Sequence, residues 1–195
     1  MPRPNPRSPA SAARLATAPS PWGPVHIVAT QRGIAAVERD LSAGAVAARV
    51  GQRLGERVEI LADAGTAPGD DQVIVHGLRA VAAVVGGQEP LTALPLDWRG
   101  ISAWDRRVLE GARTLQRGEI TSYGRLARRI GAPGAARAVG SALGRNPFWL
   151  LIPCHRVVAG DGSIGGYGGG PDALDVKRDL LALEGIAVPV VGLVD

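Results

Sequence analysis

A chain of 195 residues, 46% of them hydrophobic, can bury one sizeable core or two small ones that share an interface. No apolar run reaches the roughly 18 residues of a membrane span. The single cysteine, Cys154, excludes an intramolecular disulfide and argues against a Cys-rich zinc site. The formal charge of +4 is unevenly placed. Residues 98–156 carry eleven Arg against three acids, Asp105, Glu110 and Glu119, so this segment is +8 and the remainder −4. Such a block is either the footprint of a nucleic-acid partner or the solvated surface of a chain in which Arg outnumbers Lys 21 to 1.

Residues 1–20 are rich in Pro, Ser, Ala and Arg and lack the apolar core of a secretory signal. They are expected to be a disordered leader, and cytoplasmic residence is the default, consistent with a free thiol. A small α/β unit is expected over 21–97. The alternating PVHIVAT (24–30), a Gln31-Arg32-Gly33 turn and Ile34–Val37 predict a β-hairpin. Val46, Val50 and Leu54 follow Ser42 at helical spacing, with Ser42 as the N-cap. After a TAPGDD loop (66–71), Val73, Ile74, Leu78, Val81 and Val85 predict a second helix that stops at Gly86-Gly87. LTALPLDW (91–98) reads as a short strand. His26 and His76 have no evident partners in the sequence, which favours a structural or surface role over metal binding.

From residue 98 to the end the pattern turns helical. Ser102 caps a helix with Trp104, Val108, Ala112 and Leu115 on one face. Ser122 caps another, with Leu126 and Ile130 inward and Gly131 at its end. A third, roughly 134–143, carries Ala135, Ala136, Val139, Ala142 and Leu143. The second and third, joined by Gly-Ala-Pro, form a helix-turn-helix or an ordinary αα-corner; spacing alone does not choose. LLIP (150–153) then delivers Cys154 and His155. Val157-Val158, an Asp161-Gly162 turn and Ser163-Ile164 suggest a second hairpin, the wing of a winged helix. GGYGGG (165–170) permits close approach of backbone to a ligand. Ala173, Val176, Leu180 and Leu183 mark a last helix.

A lone cysteine is commonly a small core hydrophobe. Cys154 follows a proline and precedes His155 and Arg156, and a neighbouring base or cation favours the thiolate and lowers the thiol pKa. Adjacent positions do not prove a dyad, because neighbouring side chains on a strand diverge; a water can relay the proton between them.

IPCHRV (152–157) resembles the active-site signature of the O6-alkylguanine-DNA alkyltransferases, also called methylated-DNA–protein-cysteine methyltransferases. GEITSYGRLARRIG (118–131) and ARAVGSALGRNP (136–147) resemble that family's DNA-binding helices, and GYGGG (166–170) and KRDLLALEG (177–185) its active-site loop and closing helix. The resemblance covers about residues 96–185, with a weaker match of PWGPVHIVATQRGI to the family's opening hairpin. It implies an α/β protein: a small N-terminal α/β, RNase H-like domain followed by a C-terminal winged helix-turn-helix domain.

The resemblance also implies roles. Duplex DNA containing O6-alkylguanine would be the partner, and the damaged base would be rotated into a pocket. Arg137, on a helix whose small residues, Ala136 among them, admit close DNA approach, would fill the vacated space. Tyr123, beside Gly124, would press on the phosphate and donate to guanine N3. Glu184 would orient His155, and His155 would take the Cys154 proton through water. Asn146 would brace the turn. The carbonyls of Cys154 and Val157 would read the guanine amino group, the Gly168 amide would face O6, and Tyr167 would line the wall. The thioether is stable, so the protein would be consumed in one turnover. No cofactor, metal, membrane or obligate protein partner is implied. Trp104 replaces the family's usual Phe, Gln116 its common Pro, and the Gly168–Lys177 loop is a few residues longer. Two other readings stand beside this one: a non-catalytic lesion binder, which replaces the nucleophile, and a Cys-His hydrolase, for which no oxyanion-hole motif is evident.

Overall fold

The computed structural model describes residues 13–62, 72–89, 94–168 and 173–188. The expectations for residues 1–12, the TAPGDD loop, the start of LTALPLDW, Gly169-Gly170 and the C-terminal tail from 189 lie outside these residues.

Strands β1 (Ala13–Ala18), β2 (Val25–Thr30), β3 (Gly33–Glu38) and β4 (Val58–Ile60) form one sheet in the order β3-β2-β1-β4. β4 runs parallel to β1 and the other pairs are antiparallel. β1 corrects the expected leader: residues 13–18 are an interior strand with Ala13, Leu15 and Ala16 buried. Both faces of this strand are covered, so its sequence shows little polar alternation, and its Ala and Arg mimic a disordered composition. His26 is buried and bonds Thr17 directly across the β1–β2 pair at 2.8 Å, the partner the sequence did not show.

A helix covers each face of the sheet. α1 (Ala43–Leu54), capped by Ser42 accepting from the Ala45 amide, buries Val46 and Val50 among Leu15, Val28, Ala35 and Ala36. α2 (Gln72–Val85) buries Ile74 and Val81 in the opposite layer with Ile27 and Ile34. Residues 94–98 are not a strand. Leu96 makes a single bridge to Ile34, through Ile34 N to Pro95 O at 2.8 Å and Asp97 N to Ile34 O at 2.7 Å. Pro95 has no amide to extend a ladder.

Three helices follow: α3 (Ala103–Arg113), α4 (Tyr123–Arg129) and α5 (Ala136–Gly144). Ser102 and Ser122 cap α3 and α4 through Asp105 N and Arg125 N at 3.0 and 3.2 Å, satisfying amides a helix start leaves free. α5 begins two residues later than its periodicity suggested, because Gly134 sits at φ +85. The expected second hairpin does not form. β6 (Val157–Val158) pairs in parallel with β5 (Thr121–Ser122). The Asp161-Gly162 turn closes through Gly162 N to Ala159 O and Ala159 N to Ser163 O, and the chain then veers away at Gly165, φ +67. α6 (Ala173–Leu183) closes the described chain. Among the described residues no helix is long and apolar enough to cross a membrane.

The two halves share a core in which Ile34 and Ile74 join Val108, Leu126, Phe148 and Leu180. The free edge of β3 takes Leu96 at one end and Phe148 at the other, the latter through Val37 N to Pro147 O at 2.8 Å and Trp149 N to Val37 O at 3.1 Å. This edge therefore fixes the segment that leads to Cys154. Gly33 starts β3 at φ +136, and a Cβ there would lie 2.2 Å from Pro95 O. Gly33→Ala is expected to destabilise the protein by about 2–4 kcal/mol through strain plus overpacking, read as a lower urea midpoint.

Candidate active site

The lead-in to Cys154 is a tight turn rather than a strand. Leu150 takes φ +67 although it is not glycine, a strained conformation, and Leu151 and Ile152 both donate their amides to Phe148 O. Asn146 closes this turn: its Oδ1 accepts from Phe148 N at 2.9 Å, and its Nδ2 faces Ile152 O at 3.3 Å and Cys154 Sγ at 3.5 Å. Cys154, His155 and Arg156 form a single 3-10 turn and all three are buried.

Cys154 forms part of the wall of a cavity of about 440 Å³. Asn146, Pro147, Trp149, Tyr167 and Gly168 stand around the thiol end, and the cavity continues to Arg39, Arg49 and Arg53 at the exit of β3 and along α1. Burial pushes the Cys154 thiol up, while Asn146, Lys177 and Tyr167 pull it back only in part. The expectation of a lowered thiol pKa is thus reversed, because desolvation outweighs the neighbouring donors and cation. At rest the sulfur is a protonated thiol.

His155 makes no direct bond to Cys154. Its Nε2 meets Glu184 Oε1 at 2.9 Å, and its Nδ1 has no hydrogen-bond partner. Burial lowers the His155 pKa against the pull of Glu184, so the imidazole rests neutral. With Nε2–H donated to Glu184, Nδ1 is left as the basic nitrogen. Glu184 also takes Arg156 Nη2 at 2.8 Å and the Gly118 amide at 3.1 Å. Burial would raise its pKa, but His155 and Arg156 hold it down at about 2.

On the other side of the thiol, the Tyr123 hydroxyl donates to Gly166 O at 2.9 Å. Gly124 lies beside it in the first turn of α4, and Gly140 of α5 lies near the Tyr123 ring. The carbonyls of Cys154 and Val157 are each already engaged, with the Val157 amide and with Lys177 Nζ at 2.7 Å; a carbonyl retains a second lone pair. Gly168 packs on Gly144, where a Cβ would meet Gly144 O at 2.8 Å. Ala136 opens α5, and Arg137, next on that helix, is exposed.

Residues 103–186 match the family described as 6-O-methylguanine DNA methyltransferase, DNA binding domain. A protein of Mycolicibacterium paratuberculosis named methylated-DNA--protein-cysteine methyltransferase is 54% identical over 91 residues, 47% of this chain and 53% of that protein. The bifunctional transcriptional activator/DNA repair enzyme Ada of Escherichia coli is 42% identical over 114 residues, 58% of this chain and 32% of that protein. The crystal structure of Mycobacterium tuberculosis OGT in complex with DNA superposes with a TM-score of 0.67 at 32% identity, over 88% of this chain and 92% of that one. The chain belongs to the O6-alkylguanine-DNA alkyltransferase family. In sequence, it spans about half the length of the curated relatives it matches.

In this chain the basic segment is largely spent within the fold. Eight of its eleven arginines bind acids or carbonyls: 99, 106, 107, 113, 117, 129, 145 and 156. Arg125 and Arg128 also have partners. Among the described residues, Arg137 is the exception. Two groups at the site escaped the sequence reading. Lys177, fully buried, donates to Val157 O and to Gly166 O at 3.0 Å and faces the rings of Tyr123 and Tyr167. Burial lowers its pKa to about 8. Its signal was a lone Lys on the apolar face formed by Ala173, Val176 and Leu180. Trp149, hydrogen-bonded to Tyr167, had no signal beyond its hydrophobicity. No group of three His, Cys, Asp or Glu among the described residues is placed to hold a metal.

Glu184 makes stability acid-sensitive. Its folded pKa of about 2 lies below the ordinary 4.5, so its contribution is complete above pH 4.5 and is lost as pH falls from there toward 2. Glu184→Gln should cost on the order of 2–3 kcal/mol at neutral pH. The cost should shrink across that acid window, as followed by unfolding midpoints at pH 7, 4 and 3.

Proposed function

We propose that this protein repairs alkylated DNA by irreversible transfer of the O6-alkyl group of guanine to Cys154. The observation that carries the reading is a thiol at the wall of a cavity large enough to admit a guanine, beside a neutral His155 whose free Nδ1 is set by Glu184. Duplex DNA would be the partner, with no obligate protein partner, and the protein would act in the cytoplasm.

The division of labour runs along the chain. The sheet and its two helices form an N-terminal α/β, RNase H-like unit ending near residue 97. The remainder forms a helix-turn-helix unit of the winged class, in which α4 and α5 are the helix pair and the short β5–β6 pair replaces a full wing. Arg137, exposed and uncommitted, would enter the duplex as the base leaves the stack. The flipped guanine would lie near Gly168 and Tyr167, with the second lone pairs of the Cys154 and Val157 carbonyls toward its amino group. Tyr123 would exchange the Gly166 carbonyl for guanine N3.

Chemically, Nδ1 of His155 takes the thiol proton through a water, and the sulfur attacks the alkyl carbon in line with the departing O6. The S–C bond forms as the C–O bond breaks, and a proton supplied to guanine by Tyr123 neutralises the leaving group. The imidazolium proton then restores the Tyr123 phenol through solvent, so overall one thiol proton is lost and one proton is gained by guanine. Glu184 stabilises the imidazolium meanwhile. A lesion binder without transfer chemistry would lack the nucleophile, and Cys154 is present with its proton acceptor oriented.

Intact-protein mass after incubation with an oligonucleotide containing O6-methylguanine should rise by one methyl on the Cys154 peptide. Cys154→Ala should retain DNA affinity and transfer nothing; clearance of the lesion by that variant would remove Cys154 as the nucleophile. Arg137→Ala should slow transfer from duplex DNA far more than transfer from free O6-benzylguanine, which needs no flipping. Equal losses would take Arg137 out of that role.

A further inference from the structure

The N-terminal unit showed no chemistry in its sequence, yet it grips one wall of the cavity. Trp149 stands in that wall with Cys154 and Tyr167. Its backbone amide is held by Val37 O of β3. The Arg39 guanidinium, just beyond β3, stacks over its ring at 5.7 Å, and Trp22 meets it edge-on at 6.0 Å. Arg39 is itself buried and fixed by Trp22 O at 2.9 Å and by Asp40 at 3.0 Å. Arg39 and the Trp22 ring therefore bracket one indole whose backbone is anchored on β3.

The indole has a single polar atom, and it donates to the Tyr167 hydroxyl oxygen at 2.9 Å. A phenol has one proton to give and accepts through its lone pairs. Once its oxygen accepts from the indole, the phenolic proton must point elsewhere. Cys154 lines the same cavity wall as Trp149 and Tyr167, and the sulfur and the Tyr167 hydroxyl perturb one another's ionisation.

We propose that Trp149 is a positioning residue for the nucleophile: its indole N–H turns the Tyr167 hydroxyl proton onto Cys154 Sγ, where it stabilises the thiolate. The relay runs from Arg39 and Trp22 through Trp149 and Tyr167 to the sulfur. The N–H···O bond also polarises the phenol, making it a better donor to an anion. Other groups face the sulfur too: Asn146 from the preceding turn, Lys177 from α6 and Tyr123 from α4. Arg39 and Lys177 face the Tyr167 ring system. The relay adds a neutral donor to this set, so its loss should change thiolate stability without altering net charge.

The inference rests on Cys154 as the reactive thiol, but its test needs neither DNA nor alkylguanine. Because Cys154 is the only cysteine, iodoacetamide modification followed by intact mass reports its ionisation against pH directly. Trp149→Phe keeps an aromatic wall and removes the donor; Tyr167→Phe keeps the ring and removes the hydroxyl. Each should move the midpoint of the rate–pH profile upward by up to roughly one pH unit, a tenfold loss of thiolate at a fixed pH below it. The double variant should shift no further than Tyr167→Phe alone. A merely structural role for Trp149 would change the rate at every pH and leave the midpoint in place. An unmoved midpoint in Trp149→Phe, or an effect of Trp149→Phe that persists undiminished without the Tyr167 hydroxyl, overturns the relay. Should Trp149→Phe fail to fold, Tyr167→Phe decides: an unmoved midpoint there overturns the relay as well. Failure of these shifts with methyl transfer intact would sink the relay and leave the repair reading standing; the reverse pattern would do the opposite.

Discussion

One buried carboxylate organises this site. Glu184 follows α6, yet its two oxygens bind the imidazole of His155, the guanidinium of Arg156 and the amide of Gly118. Three segments distant in sequence are thereby pinned at one point. Its side chain is 6% exposed and that of Arg156 4%, so neither charge is shared with bulk water. A pair in this setting gains little over two well-packed apolar groups, but losing one partner strands the other. Arg156 is further held by Leu115 O and Glu89. The 3-10 turn that carries Cys154 is therefore clamped from behind, and the imidazole tautomer follows from the same clamp.

The clamp creates a tension at the thiol. Burial that shapes a cavity also disfavours the thiolate, so the resting sulfur is protonated. The surroundings answer with graded, mostly neutral donors: the Asn146 amide, the Tyr167 hydroxyl and, behind the tyrosine rings, the ammonium of Lys177. A full positive charge in contact with the sulfur would ionise it permanently and expose it to oxidants and stray electrophiles. Under the proposed single-turnover repair, a nucleophile spent in one event would gain from staying dormant until a base filled the cavity. The Lys177 ammonium is equally compromised by burial, which tempers its pull.

Much of this was legible because it is local. The caps at Ser42, Ser102 and Ser122 and the apolar spacing of α1 to α5 report the chain's own periodicity, and the structure follows them to within a few residues. Cys154 was legible for a different reason: a proline, a thiol, a base and a cation in succession form a pattern that packing alone does not require. What escaped was set by distant partners. β1 owes its existence to β2 and β4 on either side, and its alanines carry no alternation. The expected wing fails because the chain turns away at Gly165 after a single bond from Ala159 N to Ser163 O, and β6 is left paired with β5, more than thirty residues earlier. Trp149 looked like one more apolar residue, since the hydroxyl its N–H meets comes from a loop eighteen positions away. The same distance hid the reversal at the thiol, because sequence neighbours advertise charge but not desolvation.

The arginine count left two readings open, a nucleic-acid footprint or a solvated surface, and the fold narrows both. A segment of +8 suggests a broad basic surface, but the fold commits most of those cations to its own carbonyls and acids. These commitments are not equal. Arg156 is buried on Glu184 and Arg99 is tied to the buried Asp97, so neither can be released without stranding a charge. Arg106 with Glu110 is a solvent-facing pair, and such pairs are worth so little that another anion can replace the acid at almost no cost, whereas Arg145 forks onto the largely buried Asp105. Arg137 has nothing to release. The electrostatic surface offered to a polyanion is accordingly narrower than the composition implies and is centred on α5, where Ala136, Ala138 and Gly140 also keep the helix face low. Shape and charge thus converge on one helix, and under the proposed repair function a chain with many arginines would present a single one, rather than a field of them, to the interior of the duplex.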